Sequence, residues 1–271
     1  MHNVHIDHRQ SLIRGNMARI KRKVLVMSNK GGVGKSTIAV NFAALLAARG
    51  LKTGILDIDI HGPSVARMTG HDGKPHASSG GLIEPIETAP NLKMISMGSI
   101  MKEGDTPVIW RGPLKLSVLK QFLADVNWGD LDVLVIDAPP GTGDEPLTIC
   151  QLIPEMTGAV VVTTGQAVAL LDSRKAVNFL KQVGIPVLGI LENMTAFDCP
   201  HCAKEINLFK TGGGRQAALE MGVPFLGSVP FAPAMVDAGD DGKAYVTLAP
   251  SSPPAAAIEA ALDAALPEMK P

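Results

Sequence analysis

The sequence has few of the features that would assign it to several common classes of protein. It has three cysteines in 271 residues, which argues against a disulfide framework and favours a reducing cytoplasm. Aromatic residues make up 4% of the chain, too few for the stacking platform of a single-strand nucleic-acid binder. With a formal net charge of −1, the chain is not expected to attract nucleic acid or anionic lipid broadly.

Long apolar segments are also missing. No apolar run approaches the ~20 residues that a membrane-spanning helix needs, and the N-terminus lacks the apolar core of a signal peptide. Hydrophobic residues make up 46% and charged residues 19%, which is typical of a globular protein. We therefore expect a cytoplasmic globular protein with no nucleic-acid or membrane partner.

What the sequence does contain is a glycine-rich loop between an apolar run at 24–27 and an amphipathic run at 38–49. Strand, loop and helix in that order are the context of a phosphate-binding loop. Glycines let the backbone curl and point its N–H groups inward, while Lys35 supplies a charge for phosphate and Ser36 a hydroxyl for Mg²⁺. The residues predicted to hold the nucleotide are Asn29, Lys30, Gly31, Gly32, Val33, Gly34, Lys35, Ser36 and Thr37.

Two residues of this loop need separate comment. The usual pattern has glycine at position 29, and this chain has Asn29, which tolerates left-handed backbone better than most residues. Lys30 is not needed to hold phosphate within its own chain. It would be better used by a partner subunit, reaching across to the partner's nucleotide.

Three aspartates follow predicted strands. Asp57 and Asp59 come at the end of the second strand, and Asp137 ends the apolar run at 131–136. Carboxylates at the carboxyl ends of strands face the ligand crevice of an open α/β sheet. We assign Asp59 to orienting the attacking water and Asp137 to Mg²⁺, while Asp57 supports the loop or the Mg²⁺ shell.

Apolar runs near residues 24, 53, 93, 132, 159, 187 and 225 alternate with helical patterns. This alternation predicts one doubly wound α/β domain over 23–271, with a mostly parallel sheet flanked by helices. Residues 1–22 are interpreted as a flexible, solvated tail. Residues 70–90 are rich in glycine, proline and serine and are interpreted as an exposed, mobile excursion.

Near the end of the sixth predicted strand, Asn193 could bind an adenine edge with its amide, although a plain turn asparagine is the competing interpretation. Cys199 and Cys202 then form a Cys-x-x-Cys pair that can hold part of a metal ion or cluster. Two ligands are half a site, and a symmetric dimer would bring two pairs together. Zinc completed by His201, a redox dithiol and inert thiols remain alternatives. Cys150 is interpreted as a core thiol.

Together these motifs resemble the Mrp (ApbC-like) family of iron–sulfur cluster carrier ATPases, of the class with a deviant phosphate loop. The resemblance spans about 23–242 and rests on these stretches: 30–37, 57–64, Trp110-Arg111-Gly112-Pro113, 137–144, 189–194 and 199–202. It implies a homodimer with one ATP per subunit, in which Lys30 is the signature lysine that enters the partner's site. It further implies a labile [4Fe–4S] cluster shared by Cys199 and Cys202 of both subunits and delivered to apoproteins.

The same resemblance implies roles for the remaining site residues. Lys35 and Ser36 would bind phosphate and Mg²⁺, Asp59 would assist hydrolysis, Asp137 would act in the second switch, and Asn193 would lie by the adenine. Two alternatives share the loop. A positioning ATPase would need a basic face or a basic amphipathic tail, which the sequence lacks. A cluster-based electron-transfer ATPase would have widely spaced cluster cysteines.

Overall fold

The computed structural model describes residues 2–59, 62–71, 76–77, 81–100, 112–199, 201–202 and 204–270. In these residues the strands are β1 (Ile20–Met27), β2 (Thr53–Asp57), β3 (His76–Ala77), β4 (Ile83–Glu84), β5 (Ile86–Ala89), β6 (Leu92–Ser96), β7 (Leu131–Asp137), β8 (Gly158–Thr163), β9 (Val187–Thr195), β10 (Phe197–Asp198), β11 (Glu205–Ile206) and β12 (Phe225–Pro230).

The helices of the same residues are α1 (His2–Ala18), α2 (Lys35–Ala48), α3 (Val65–Met68), α4 (Met97–Ile100), α5 (Gly112–Asp125), α6 (Asp144–Leu152), α7 (Ala167–Val183), α8 (Gly213–Met221), α9 (Pro233–Asp240), α10 (Tyr245–Leu248) and α11 (Pro253–Ala265). A short 3-10 helix, Pro267–Met269, follows α11.

The main sheet has eight strands in the order β12–β9–β8–β1–β7–β2–β6–β5. Every pair in it is parallel except β5 with β6, which is antiparallel. A strand is present at each of the seven positions predicted from the apolar runs. The prediction of a mostly parallel sheet flanked by helices is therefore confirmed.

Two apolar layers cover this sheet, one on each face. Alternate residues of β1 enter different layers: Leu25 and Met27 join the layer under α5 and α7, while Val24 and Val26 join the layer under α2 and α11. Because successive side chains of a strand point to opposite faces, a strand buried on both faces must be apolar throughout. The apolar runs at 24–27 in β1 and 133–136 in β7 satisfy this requirement.

The strand register brings the predicted acidic residues to one edge of the sheet. Asp137 pairs with Val26 on one side and with Asp57 on the other, so β1, β7 and β2 end at the same level. The phosphate loop, which we define as Ser28–Gly34, leaves β1 at this edge. This is the carboxyl edge, where open α/β sheets bind their ligands.

The interpretation of residues 1–22 as a flexible tail is wrong. Residues 2–18 form helix α1, which packs on α5, and the side chains of Ile13 and Met17 are buried in the core. The Asn16 amide donates to the carbonyl of Ala124 at 2.7 Å, with longer contacts to two neighbouring carbonyls of the same helix end. Strand β1 then begins at Ile20, not at 23.

Only part of the excursion predicted at 70–90 lies among the described residues. Its residues 86–89 form the antiparallel edge strand β5, so this part of the stretch belongs to the main sheet. Alternation of Ile86 and Thr88 with more exposed neighbours is the pattern of an edge strand with one covered face. Trp110 and Arg111, part of the family motif, lie outside the described residues.

Candidate functional site

The phosphate loop is shaped by its glycines. Gly32 and Gly34 have φ values of 79° and 82°, in the left-handed region that favours glycine. Gly34 also lies so close to Asn193 that a Cβ there would be 2.2 Å from its amide nitrogen. The loop ends at Gly34, which is the N-cap of α2, so the positive end of that helix faces the loop.

Lys35 and Asp137 form a buried ion pair at the base of the loop. The Lys35 ammonium donates to Asp137 Oδ1 at 2.5 Å and lies 3.2 Å from the hydroxyl of Ser36. Lys35 is 7% exposed and Asp137 is fully buried. Burial raises the pKa of Asp137, and the charge of Lys35 opposes that effect.

The second oxygen of Asp137 is buried and accepts no hydrogen bond from the described residues. A buried carboxylate oxygen without a partner is costly, and such an oxygen beside a hydroxyl is the donor type that Mg²⁺ prefers. Asp137 and Ser36 therefore fit the requirements of a magnesium site.

Asp57 lies next to Asp137 and organises the chain after β2. Its two oxygens accept from the backbone N–H groups of Asp59 and Val65 at 3.0 and 3.2 Å and from the Ser96 hydroxyl at 2.8 Å. Burial, and then the charge of Asp137, raise its pKa from the ordinary 3.8 to about 7. These contacts agree with the supporting role expected from the sequence.

The other two charged residues predicted to act in hydrolysis differ in exposure. Asp59 is 8% exposed, accepts from the N–H of Gly62 at 3.1 Å and is close enough for its charge to raise the pKa of Asp137. Lys30 has an exposed side chain, and its carbonyl accepts from the Ser28 hydroxyl at 2.9 Å. The roles assigned to both stay predictions.

Asn29, which replaces the usual glycine, has a specific contact. Its amide donates to Asp172 Oδ1 on α7 at 2.9 Å, and the same carboxylate oxygen lies 3.6 Å from the ammonium of Lys175. The loop is thus attached to α7 by a side chain that glycine does not have. Nothing in the sequence pattern indicated this contact, because the two residues are 143 positions apart.

Asn193 is a buried residue rather than an exposed turn asparagine, and part of its amide is already hydrogen-bonded. It is 4% exposed, and its nitrogen donates to the carbonyl of Val33 in the phosphate loop at 2.9 Å. Its side chain also lines a cavity of about 280 Å³ beside Thr37. We call this the base cavity; its lining is Thr37, Ser64, Arg67, Met68, Asn193, Met194, Pro230, Phe231, Ala232, Met235, Val236, Gly239 and Asp240.

The apolar part of this cavity was not predicted from the sequence. Met68, Phe231 and Met235 come from three separate elements or their connections, and no motif links them. At its rim, Arg67 and Asp240 form an exposed ion pair at 3.3 Å. A largely apolar cavity next to a phosphate loop can hold a nucleobase.

Cys199 and Cys202 lie on a projection from the same strand as Asn193. Strands β10 and β11 pair antiparallel, and the Cys199 N–H donates to the Lys204 carbonyl at 2.9 Å. We call residues 197–206 the cysteine hairpin. Cys202 is exposed, Cys199 is partly exposed, and the backbone N–H groups of His201 and Cys202 lower the pKa of the Cys199 thiol. A lowered pKa favours the thiolate, which is the form of cysteine that binds metal ions.

The third thiol differs from this pair. Cys150 packs against the core, and burial raises its pKa to about 11, as expected for an inert core cysteine. Among the residues that the structure describes, no group of three or more His, Cys, Asp or Glu side chains could hold a metal ion. Within that part of the chain, the hairpin therefore offers two thiols and no further ligand beside them.

Comparisons with known proteins identify relatives that match most of this chain. A family model described as NUBPL iron-transfer P-loop NTPase matches residues 19–266. The chain is 48% identical to the iron–sulfur cluster carrier protein of Methanocaldococcus jannaschii over 87% of this chain and 81% of that protein. It is 44% identical to the cytosolic Fe–S cluster assembly factor NUBP2 of Homo sapiens over 90% of this chain and 92% of that protein.

Among solved structures, the nucleotide-binding protein of Archaeoglobus fulgidus in complex with ADP is similar, with a TM-score of 0.75 and 35% identity. The match covers 87% of this chain and 92% of that one. The cell division ATPase MinD of Pyrococcus furiosus, at 22% identity and a TM-score of 0.65 over 92% of this chain and all of that one, shares the fold.

Within the described part of the chain, no helix combines the length and apolar character needed to cross a bilayer. The phosphate loop, the strand-end aspartates and the Cys-x-x-Cys pair all fall inside the matched range of 19–266. The chain belongs to the NUBPL iron-transfer P-loop NTPase family.

Proposed function

We propose that the protein is an ATP-hydrolysing carrier that holds a [4Fe–4S] cluster between two identical chains and transfers it to cytoplasmic apoproteins. The observation that carries this proposal is that Cys199, partly exposed, and Cys202, exposed, lie at the tip of a hairpin that continues the strand of Asn193. The names of the relatives, an iron–sulfur cluster carrier protein and a cytosolic Fe–S cluster assembly factor, support the cargo and the compartment.

ATP would bind with its phosphates in the loop and its base in the base cavity. The N–H groups of the loop and the start of α2 face the phosphates, and Lys35 is the buried cation beside them. Because one N–H of the Asn193 amide donates to the Val33 carbonyl, its oxygen and its second N–H are left for the base. An acceptor at that position suits the amino group of adenine.

Phosphate binding would also rearrange the ion pair at the base of the loop. Lys35 is bonded to Asp137 in the structure, and an incoming phosphate competes for the same ammonium. Once Lys35 turns to phosphate, both oxygens of Asp137 are available beside the Ser36 hydroxyl for Mg²⁺. When bound, Mg²⁺ would offset the charge that develops on the phosphate oxygens during hydrolysis.

Hydrolysis would then draw on two further charged groups. The carboxylate of Asp59, at the end of β2, would orient the attacking water, and its backbone is fixed by Asp57. Lys30 would come from the partner chain and stabilise the transferred phosphoryl group. The exposure of its side chain supports this assignment, since a lysine directed into its own loop would be covered.

The cluster is the cargo of this carrier and needs four thiolates. Each chain supplies Cys199 and Cys202, while Cys150 packs against the core. Two chains related by a two-fold axis would place four thiolates around one [4Fe–4S] cluster. An exposed, shared site also suits transfer, because a recipient can reach it from outside.

Anaerobic reconstitution with ferrous iron and sulfide tests the cargo. Wild-type protein should bind about four iron ions per two chains, and Cys199→Ala or Cys202→Ala should abolish binding. Cys150→Ala is the matched control and should keep the iron, because that thiol packs in the core. Protein that retains stoichiometric zinc and refuses iron and sulfide would contradict the proposal.

A further inference from the structure

The segment that leads from the phosphate loop to the first cysteine is attached to the nucleotide site at each step. Asn193 donates to the Val33 carbonyl at 2.9 Å, and Thr195 Oγ1 donates to the Val229 carbonyl of β12 at 3.1 Å. Phe197 then meets Phe231, with ring centroids 5.6 Å apart and the planes at 73°. Cys199 follows two residues later.

Phe231 contacts both the base cavity and the cysteine hairpin. It lines the base cavity, and its ring makes an edge-to-face contact with Phe197 at the beginning of the cysteine hairpin. Edge-to-face aromatic pairs have a preferred geometry, so a displacement of one ring changes the favoured position of the other. A nucleobase that fills the cavity therefore contacts Phe231. Phe231 packs against Phe197, which sets where the cysteine hairpin starts.

The backbone between these contacts is itself bent. Met194 has a φ of 55°, a left-handed conformation that is uncommon for a residue other than glycine. Its side chain lines the base cavity, and its Cε would be 3.3 Å from a Cβ added to Gly34. Strained backbone of this kind is held in place by its surroundings, and here those surroundings are the nucleotide site.

The strand that leads to the hairpin is also tied to the chain that follows the hairpin. Glu192 is fully buried, and its two oxygens accept from the N–H groups of Gly212 and Gly214 at 2.9 and 2.8 Å. A Cβ on Gly214 would be 2.9 Å from the Cβ of Glu192, so a larger residue there would require one of the two to shift. The strand before the hairpin and the turn after it are thus held together, and the Phe197–Phe231 pair is the contact between the base cavity and the hairpin within this frame.

We propose that the Phe197–Phe231 contact transmits occupancy of the base cavity to the cysteine hairpin, so that nucleotide changes how readily the cluster is released. Phe197 is a positioning residue in this scheme and touches neither nucleotide nor cluster. The inference rests on the proposed function, since it assigns the route by which ATP regulates the cargo site.

Cluster release tests the route. The rate at which an iron(II) chelator removes iron from reconstituted wild-type protein should change by about fivefold or more on addition of MgATP. In Phe197→Leu, which keeps an apolar side chain but loses the ring pair, the ratio of the two rates should fall to about one. Iron content and nucleotide affinity should stay at wild-type values. Phe179→Leu, a partly buried phenylalanine on α7, is the matched control and should keep the ratio.

Two results would overturn the inference: a wild-type rate that ignores nucleotide, or a Phe197→Leu rate that keeps the full response. A second measurement does not depend on the cluster. Hydrogen exchange at the hairpin amides of apo protein should change on adding MgADP in the wild type and not in Phe197→Leu. If no cluster assembles, the proposed function fails, and the exchange experiment still decides the route: unchanged wild-type exchange would overturn it.

Discussion

Lys35 and Asp137 are buried together, and the charge of Lys35 opposes the effect by which burial raises the pKa of Asp137. Removing one partner of a buried pair leaves an uncompensated charge in a medium that solvates it poorly. Lys35→Ala should therefore lower the free energy of unfolding of the nucleotide-free protein by about 3 kcal/mol at pH 8, measured by denaturant titration. It should also abolish nucleotide binding.

The control for this variant is an ion pair of the same chemistry at the surface. Lys21 contacts Asp132 at 2.8 Å, but its side chain is 74% exposed. Lys21→Ala should change the free energy of unfolding by less than about 1 kcal/mol, because water screens the pair. Equal losses of unfolding free energy in the two variants would show that burial does not make the Lys35–Asp137 pair more important for stability than an exposed pair.

Asp57 predicts a pH dependence of stability. Its pKa is raised from 3.8 to about 7, so the folded protein binds this proton more tightly than the unfolded chain does. Its contribution to stability is therefore complete below pH 4 and is lost as the pH rises through about 7.

Asp57→Asn, which cannot ionise, should remove that contribution. The free energy of unfolding, measured between pH 4 and pH 8, should fall with pH less steeply in the variant than in the wild type. Each pKa unit of the raised value corresponds to about 1.4 kcal/mol. Parallel curves would show that Asp57 titrates normally.

At this scale, a residue can be predicted from the sequence where its chemistry alone defines it. Lys35, Ser36 and Asp137 follow from what a phosphate loop requires, and the structure brings them together. The bonds of Asn29 to Asp172 and of Asn193 to Val33 join residues more than 140 positions apart. Only the packing of the sheet and α7 creates them, so no local pattern could predict them.

At the scale of elements, α1 shows where periodicity gives too little information. Most of its residues are polar, and it buries chiefly Ile13 and Met17, which are one turn apart. Most of the stability of a helix in a protein comes from tertiary packing, and α1 packs on α5. The core strands could be predicted because burial on both faces makes them apolar throughout.

The integration of α1 into the fold can be tested by comparing two of its residues. Met17→Ala should lower the free energy of unfolding by about 2–4 kcal/mol, because it opens a cavity in the core. Leu12→Ala, at a residue 43% exposed on the same helix, should cost about 0.5 kcal/mol or less. If both variants match the wild type in denaturant titration, α1 does not contribute to the folded state.

At the scale of the whole molecule, the two functional features lie at the same edge of the sheet and are connected by one strand. The phosphate loop follows β1, and β9 carries Asn193 toward the loop before it continues to the cysteine hairpin. Membership of an iron-transfer family favours a cluster carrier over the positioning and electron-transfer alternatives. The α/β class and strand positions could be predicted from alternating apolar runs, but the base cavity could not, since several elements form it.

Native mass spectrometry of the anaerobically reconstituted protein tests most directly whether two chains share one cluster. The account predicts a dimer that carries about four iron and four sulfide ions, with no iron on the monomer. A monomer that carries a complete cluster, or a dimer that carries only zinc, would contradict it.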